Sequence, residues 1–415
     1  MDFSFPNFFH LLHILLFITL VCPVYSSNTR FHQFANQTSE QENTFHKLRK
    51  QIANRLQKLN KPAVKTIYSP DGDIIDCVLF HKQPAFDHPL LKGHKLSDPP
   101  ERPIGYNKAD ILNKDFQLWS SSGESCPEGT IPIIRTTEED ILRTSSPDRY
   151  GQKSINSSLS NPPSEVHEYV NGVTRGGEYY GAQGDFNVWT PHVEGKNEFS
   201  VSQMWVFAGT YGKDLNSIEV GWAVFPSLFG DDRTRLFIYW TADAYQNTGC
   251  YNLKCSGFIQ TNHRVLLGGT ISPISTYNGP QYDVTLSIWK DPRTNNWWLQ
   301  AGSGILIGYW PVSLFTHLKD HATAVNFGGE IVNTRSTNAH TSTGMGSGHF
   351  AGQGFRKAAF IKNMEIVDYS NNLNPVQNQE YIVQLPKCYD SNPGITKYWG
   401  RYFFFGGPGR NINCP

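Results

Sequence analysis

From about residue 186 to the C-terminus, short runs rich in Val, Ile, Phe, Tyr and Trp alternate with clusters of Gly, Pro, Asn and Asp. That texture confines the chain to sheets joined by tight turns. The strand candidates are Phe186–Trp189, Phe199–Ala208, Ser217–Phe225, Arg235–Thr241, Tyr282–Lys290, Trp297–Gly302, Ile305–Trp310, Ala324–Val332, Ala358–Val367 and Tyr402–Phe405. Turn signals fall at 230–232, 278–280 and 291–296. So many strands with scarcely a helix read as a β-sandwich or barrel. Residues 236–240 are apolar or aromatic at every position, so their sheet is expected to be covered on both faces.

Two of these runs carry a glutamate next to glycine: Ser217-Ile-Glu219-Val-Gly221-Trp222 and Asn326-Phe-Gly328-Gly329-Glu330-Ile-Val332. A carboxylate among apolar β-formers needs a partner, because burying an unpaired charge costs several kcal/mol. Two facing carboxylates push their pKa values apart, so that one keeps a proton while the other acts as a base on water. The plainer alternative puts each glutamate on a wet strand face or beside an Arg or Lys.

Compartment and disulfides come from the cysteines and the N-terminus. An apolar run over residues 8–22, followed by Pro23 and small residues, is too short to span a membrane and reads as a secretory signal peptide cut near Ser26–Ser27. A secreted, extracellular chain is therefore expected, with no membrane span once residues 1–26 are gone. Cys22 leaves with the leader, and Cys77, Cys126, Cys250, Cys255, Cys388 and Cys414 remain. An even number in a secreted chain argues for disulfides, and several connectivities are open. Pairing neighbours gives Cys77–Cys126, Cys250–Cys255 and Cys388–Cys414. No CxxC spacing occurs and the histidines are scattered along the chain, so no metal or other cofactor is expected. The sequons at Asn36 and Asn156 fit a glycosylated surface. A formal net charge of zero with only 17% charged residues disfavours nucleic acid as a partner.

The chain's length suggests two units. Phe45, Leu48, Ile52, Leu56 and Leu59 recur at helical spacing with Lys and Arg opposite, and the helix ends at Lys61-Pro62. A hairpin around Asp71-Gly72 follows, then proline-rich chain to Pro103, and a short helix over Thr137–Arg143 capped by Thr136 or Thr137. Residues 144–164 are Ser, Asn, Pro and Gly with almost nothing apolar, an exposed linker of the kind proteases cut.

Specific motifs run through both halves. In the first half they are Leu59–Lys65, Ser69–Val78, Gln83–Pro89, Gln117–Trp119 and Cys126–Pro132. In the second they are Ser202–Trp205, Ile218–Trp222, Tyr239–Asp243, Asn247–Asn252, Cys255, Gly328–Glu330 and Gly344–His349. In this order they resemble the neprosin family of secreted plant proteins and the activation peptide that precedes them, over most of residues 45–415. The resemblance implies a small α+β prosegment over 27–160 and an antiparallel β-sandwich catalytic domain over 161–415. It also implies a glutamic endopeptidase, made as a zymogen, that cleaves peptide or protein substrates after proline in acid. The family's catalytic glutamates fall on Glu219 and Glu330. Departures at Ala223–Phe225 and Gln353–Arg356 bear on the groove and its proline preference.

In the implied mechanism one ionised glutamate takes a proton from water while the other, protonated, polarises the scissile carbonyl, work worth ~10²–10⁴ in rate. Alternation in Val201–Val206 puts Gln203 and Trp205 on one face, an amide donor for an oxyanion beside an aromatic wall. Tyr239 is a further donor candidate, whereas Trp222, three residues after Glu219, is assigned to the core. No GxSxG elbow appears, and the cysteines are expected to be oxidised. The prosegment is expected to inhibit its own enzyme, its basic helix suiting an acidic cleft. The rival readings are a glycosidase, which also uses two carboxylates, and a glycan-binding sandwich.

Overall fold

Strict alternation sorts the side chains of the long strands into two sets, and two sheets close over one of them. The computed structural model describes residues 46–106, 116–144, 147–153, 165–302, 304–334 and 339–415. The expected leader, Asn36, Asn156 and residues 154–164 of the expected linker lie outside these residues.

The first sheet is the N-terminal hairpin β1 (Ala63–Tyr68) and β2 (Ile74–Leu79) with β3 (Thr130–Ile134) added to β2. A six-stranded antiparallel sheet contains β4 (Val166–Tyr179), β6 (Ser200–Ala208), β7 (Asn216–Val224), β8 (Arg235–Thr241), β13 (Ala322–Asn333) and β17 (Glu380–Val383). Their order is β17-β4-β13-β6-β7-β8. The third sheet has β5 (Gly181–Asn187), β9 (Ile259–Gln260), β10 (Asp283–Lys290), β11 (Trp297–Ala301) and β12 (Ile305–Trp310). It is completed by β14 (Met345–Gly346), β15 (Ala359–Val367), β16 (Leu373–Pro375), β18 (Asp390–Thr396) and β19 (Gly400–Gly407). Its path is β14-β19-β15-β5-β10-β11-β12-β9, with β16 on β15 and β18 on β19.

The six- and ten-stranded sheets pack face to face as a sandwich. Met204, Val206, Ile218, Val220, Trp222, Ile238, Val325 and Phe327 from one meet Ala182, Phe186, Leu286, Ile288 and Leu299 from the other. Phe186 stacks on Phe327 with centroids 6.4 Å apart, and Trp222 donates its indole N–H to the Asn187 carbonyl at 3.0 Å. Trp222 is thus a core residue whose polar handle is satisfied.

Nine of the ten sequence-derived strands agree with the structure to within a few residues at their ends, whereas Phe186–Trp189 overlaps β5 only at Phe186 and Asn187; the three expected disulfides form. The longest strand, β4, was not anticipated. Gly172, Gly176 and Gly177 weaken its β signal, and His167, Glu168, Asn171 and Thr174 break its apolar pattern. Residues 46–59 are helical, and Thr137 caps the helix Glu138–Leu142 in a capping box with Asp140.

Length suggested two units, yet residues 51–415 make a single compact one. Ala85, Leu91 and Ile131 of the N-terminal region join the sandwich core, and Ile67, Ile75, Trp119 and the Cys77–Cys126 bridge pack on Leu266. An ionic clamp adds to this apolar contact. Arg235 on β8, 1% exposed, forks onto Asp73 of the N-terminal hairpin at 2.6 and 3.1 Å and also reaches Asp231 at 2.6 Å. The two acids hold its guanidinium charged although burial opposes it. Asp73→Asn is expected to weaken this hold by about 1.5–3 kcal/mol, the worth of a hydrogen bond to a charged group. A melting temperature equal to wild type would show that the clamp contributes nothing.

Candidate active site

Strand register brings the two glutamates onto the face of the six-stranded sheet turned away from the sandwich core. Trp205 on β6 lies between Glu219 on β7 and Asn326 on β13; Gln203 lies between Gly221 and Gly328; Val201 lies between Ala223 and Glu330. Glu330 in turn pairs with Tyr169 on β4, and Glu219 with Tyr239 on β8. Every residue named from the sequence as catalytic or groove-forming, namely Glu219, Glu330, Gln203, Trp205 and Tyr239, therefore shares one face.

The two glycines keep the middle of that face bare. A Cβ on Gly221 would come 2.0 Å from the Ser202 carbonyl oxygen, and one on Gly328 would come 2.1 Å from that of Val170. No side chain fits at either position, so Gln203 is flanked on both sides by backbone alone.

Both carboxylates are buried, Glu219 at 0% and Glu330 at 2% exposure, and both are partnered. Glu330 accepts from His167 Nδ1 at 2.6 Å and Tyr169 hydroxyl at 3.1 Å on Oε1, and from Gln203 Nε2 at 2.8 Å on Oε2. Glu219 accepts from the Tyr245 hydroxyl at 2.7 Å and the Ser217 hydroxyl at 3.3 Å. Its other oxygen receives a cation, the Lys153 ammonium at 2.6 Å.

Lys153 lies inside the stretch 144–164 that was expected to be an exposed linker; residues 147–153 of it are instead packed against the sheet, with Tyr150 and Gly151 buried. Its ammonium also lies 4.9 Å from the Tyr239 ring centroid and 5.1 Å from that of Tyr245, and its backbone N–H donates to the Tyr239 hydroxyl at 3.2 Å. Burial alone would lower its pKa; Glu219, helped by Glu330, raises it well above the ordinary lysine value instead. Burial likewise pushes Glu330 upward, but the Lys153 charge and the hydrogen bonds from His167 and Tyr169 outweigh it and hold the carboxyl below its usual range. Burial drives the Tyr239 hydroxyl up to about 12, so it stays protonated.

The basic helix was expected to suit the cleft. Its Arg55 instead holds the carbonyls of Tyr150 and Lys254 at 3.3 and 3.4 Å, steadying the segment that delivers Lys153. A lone lysine without helical context gave no sequence signal. His167 and Tyr169 were missed with β4, and Tyr245 stands in a turn at positive φ that no strand pattern reaches. Ser217 alone was recoverable, being two residues before Glu219 and so on its face.

Beside the carboxylates a cavity of about 540 Å³ is lined by His167, Tyr169, Trp205, Tyr211, Ser217 and Tyr245 among others. Trp205 and Tyr169 meet edge to face at 6.4 Å and form its aromatic wall.

A β-sandwich with two buried, hydrogen-bonded glutamates on one open sheet face, and a cation from its own upstream chain seated on one of them, defines the class. The chain matches the Neprosin family model over residues 196–408 and the Neprosin activation peptide over residues 66–179. It belongs to the Neprosin family. Among solved structures it is similar to scytalido-glutamic peptidase with a peptide-based transition-state analogue, at 10% identity over 59% of this chain and 99% of that one, with a TM-score of 0.34. SCP-B, a member of the Eqolisin family of peptidases in a complex with the tripeptide Ala-Ile-His, matches at 9% identity over 58% and 98%, with a TM-score of 0.32. A Ruminococcus gnavus sialidase CBM40 bound to sialyllactose matches at 10% identity over 42% and 94%, with a TM-score of 0.20. Likenesses this distant carry no weight for function.

Proposed function

We propose that the chain is the precursor of a secreted glutamic endopeptidase that cuts after proline in acid, and that its own prosegment inhibits it. The observation that carries this reading is Lys153, placed by the activation segment on Glu219 at 2.6 Å with Glu330 inside its field. With Lys153 gone, Glu330 keeps the donors His167, Tyr169 and Gln203, hydrogen bonds that favour its charged form and suit it to be the base that takes a proton from water. Glu219 is then left for the other role of the pair, polarising the scissile carbonyl and protonating the leaving nitrogen. Gln203, on bare backbone between the two, supplies an amide that can turn toward the oxyanion.

The lock has a pH sense. A carboxyl held below its free value stabilises the closed state above that value and loses the stabilisation as pH falls through its folded-state value. The Lys153 charge holds the Glu330 carboxyl down, so protonating Glu330 removes part of what Lys153 is bound to, and the contact should weaken as pH falls. Cleavage is expected between Lys153 and Val166, a reading supported by the hydrogen bonding of β4 along its length to β13. Pro162 and Pro163 lie in that interval.

The test is to acidify purified precursor, sequence the new N-terminus, and offer the product a proline-rich peptide and an oligosaccharide panel. Peptide cleavage after proline with no glycan hydrolysis is expected. Glycan hydrolysis, or full activity from uncut precursor, would overturn the reading. Activity should follow a bell centred in acid, because only the singly protonated pair works; a neutral or alkaline optimum in a pH–rate profile would rule the mechanism out.

A further inference from the structure

On the outer face of the other sheet a patch of aromatic side chains is covered by the chain's own N-terminal region. Trp289 on β10, Trp298 on β11 and Tyr309 on β12 are cross-strand neighbours. Alternation turns Trp289 away from Leu286 and Ile288, hence onto the outer face of the ten-stranded sheet. All three are at most 1% exposed, because extended chain from residue 94 to 106 lies over them.

That chain is held by its backbone. The Tyr309 hydroxyl accepts from Ser97 N–H at 3.0 Å, and Arg293 donates to the Pro99 carbonyl. Asp291 accepts from Glu101 N–H at 3.0 Å, while the Trp289 indole donates to the Glu101 carbonyl at 2.9 Å. The Asn371 amide donates to the Arg102 carbonyl at 3.1 Å; its own carbonyl accepts from Ile104 N–H at 2.7 Å, and Leu373 N–H donates to the Ile104 carbonyl at 2.9 Å. Leu96, Pro99, Glu101 and Ile104 point to solvent, 44% and 63% exposed for Leu96 and Ile104, so those side chains are not read. Only Pro103 is buried, and only Arg102 inserts a charged head, onto Gln300 and, at 3.0 Å, the Gly304 carbonyl. An indole N–H and a tyrosine hydroxyl bonded to the backbone of a proline-bearing extended segment is the chemistry by which polyproline-type ligands are held.

We infer that this face is a groove for extended, proline-containing peptides with a basic residue before proline, vacated when the prosegment leaves. The inference rests on the precursor reading above, for without release the groove stays full. Its backbone bonding accepts sequences other than residues 97–104, and the Trp298 indole N–H, buried and without a partner, is a further donor for an incoming chain. Proline-rich polypeptides would thereby be held on the enzyme at a face other than the one that bears Glu219 and Glu330.

The test separates this site from the peptidase. A protease recognition sequence is inserted within residues 154–164 of the Glu330→Gln precursor, the protein is cut by the added protease, and the N-terminal fragment is removed by gel filtration in acid. Binding of a fluorescein-labelled peptide of residues 94–106 is then read by anisotropy, without need of catalysis. The cut protein should bind it and the uncut precursor should not. Trp289→Phe, which keeps the ring and loses the N–H, should weaken binding at least tenfold, as should Arg102→Ala in the peptide alone, which puts no demand on folding. No binding by the cut protein, a fragment that cannot be removed, or binding indifferent to both changes would overturn the groove. Loss of proline-directed cleavage in the wild-type protein with binding intact would overturn only the peptidase reading.

Discussion

Glu219→Gln and Glu330→Gln should each be secreted and fold as wild type does, yet lose ~10²–10⁴ of peptidase turnover. Glutamine keeps the shape of the buried side chain and the hydrogen bonds it accepts through one oxygen, while removing the proton chemistry. The two losses should not add, since either carboxyl without the other leaves water or carbonyl unattended. Turnover of a proline-containing peptide after identical maturation measures this. A variant that retains more than about a tenth of wild-type turnover, well outside the usual acid–base contribution, would clear that residue of a catalytic role.

Lys153→Met should have the second largest effect, and of opposite sign. Methionine preserves length and fills the space between Tyr239 and Tyr245 but leaves Glu219 buried without its cation. Breaking a buried pair from one side costs about 3–5 kcal/mol, which here would fall on the closed precursor. At 1.4 kcal/mol per factor of ten, the open form gains ~10²–10³ in population, so processing should be faster and its midpoint should move to higher pH. The direction follows from the charges. In wild type the Lys153 charge holds Glu330 below the usual carboxylate range; in the variant that restraint is gone and Glu330 takes its proton at higher pH. Following precursor loss across a pH series settles it. Coincident wild-type and Lys153→Met midpoints would mean that Lys153 fills the site without locking it.

What was legible in the sequence is what alternation and local chemistry control. Ile218, Val220 and Trp222 against Glu219 and Gly221 fix which face of β7 is core and which is site, and Gln203 with Trp205 does the same for β6. The cysteines paired as neighbours because each pair lies at the ends of a short local excursion. Long-range partners were out of reach. Glu219 and Lys153 meet across 66 positions, Glu330 and His167 across 163, and nothing local in a lysine after Gln152 or a histidine before Glu168 marks those meetings. β4 was hidden for a related reason: one of its faces is the site, so polar groups sit where a core strand would show apolar ones.

The Cys77–Cys126 bridge, which packs with Ile67 and Ile75 on Leu266, also decides what a protease can accomplish. It closes a loop across 49 positions, and that loop contains Pro99, Pro100, Pro103 and the whole segment lying on Trp289 and Tyr309. A nick anywhere inside it leaves both pieces covalently tied, so nothing departs and Lys153 stays in place. Only a cut beyond Cys126, and by the sheet pairing beyond Lys153, lets the N-terminal region go. On the proposed reading, premature damage inside the loop is thereby rendered silent, and maturation is a single all-or-none scission instead of a gradual fraying.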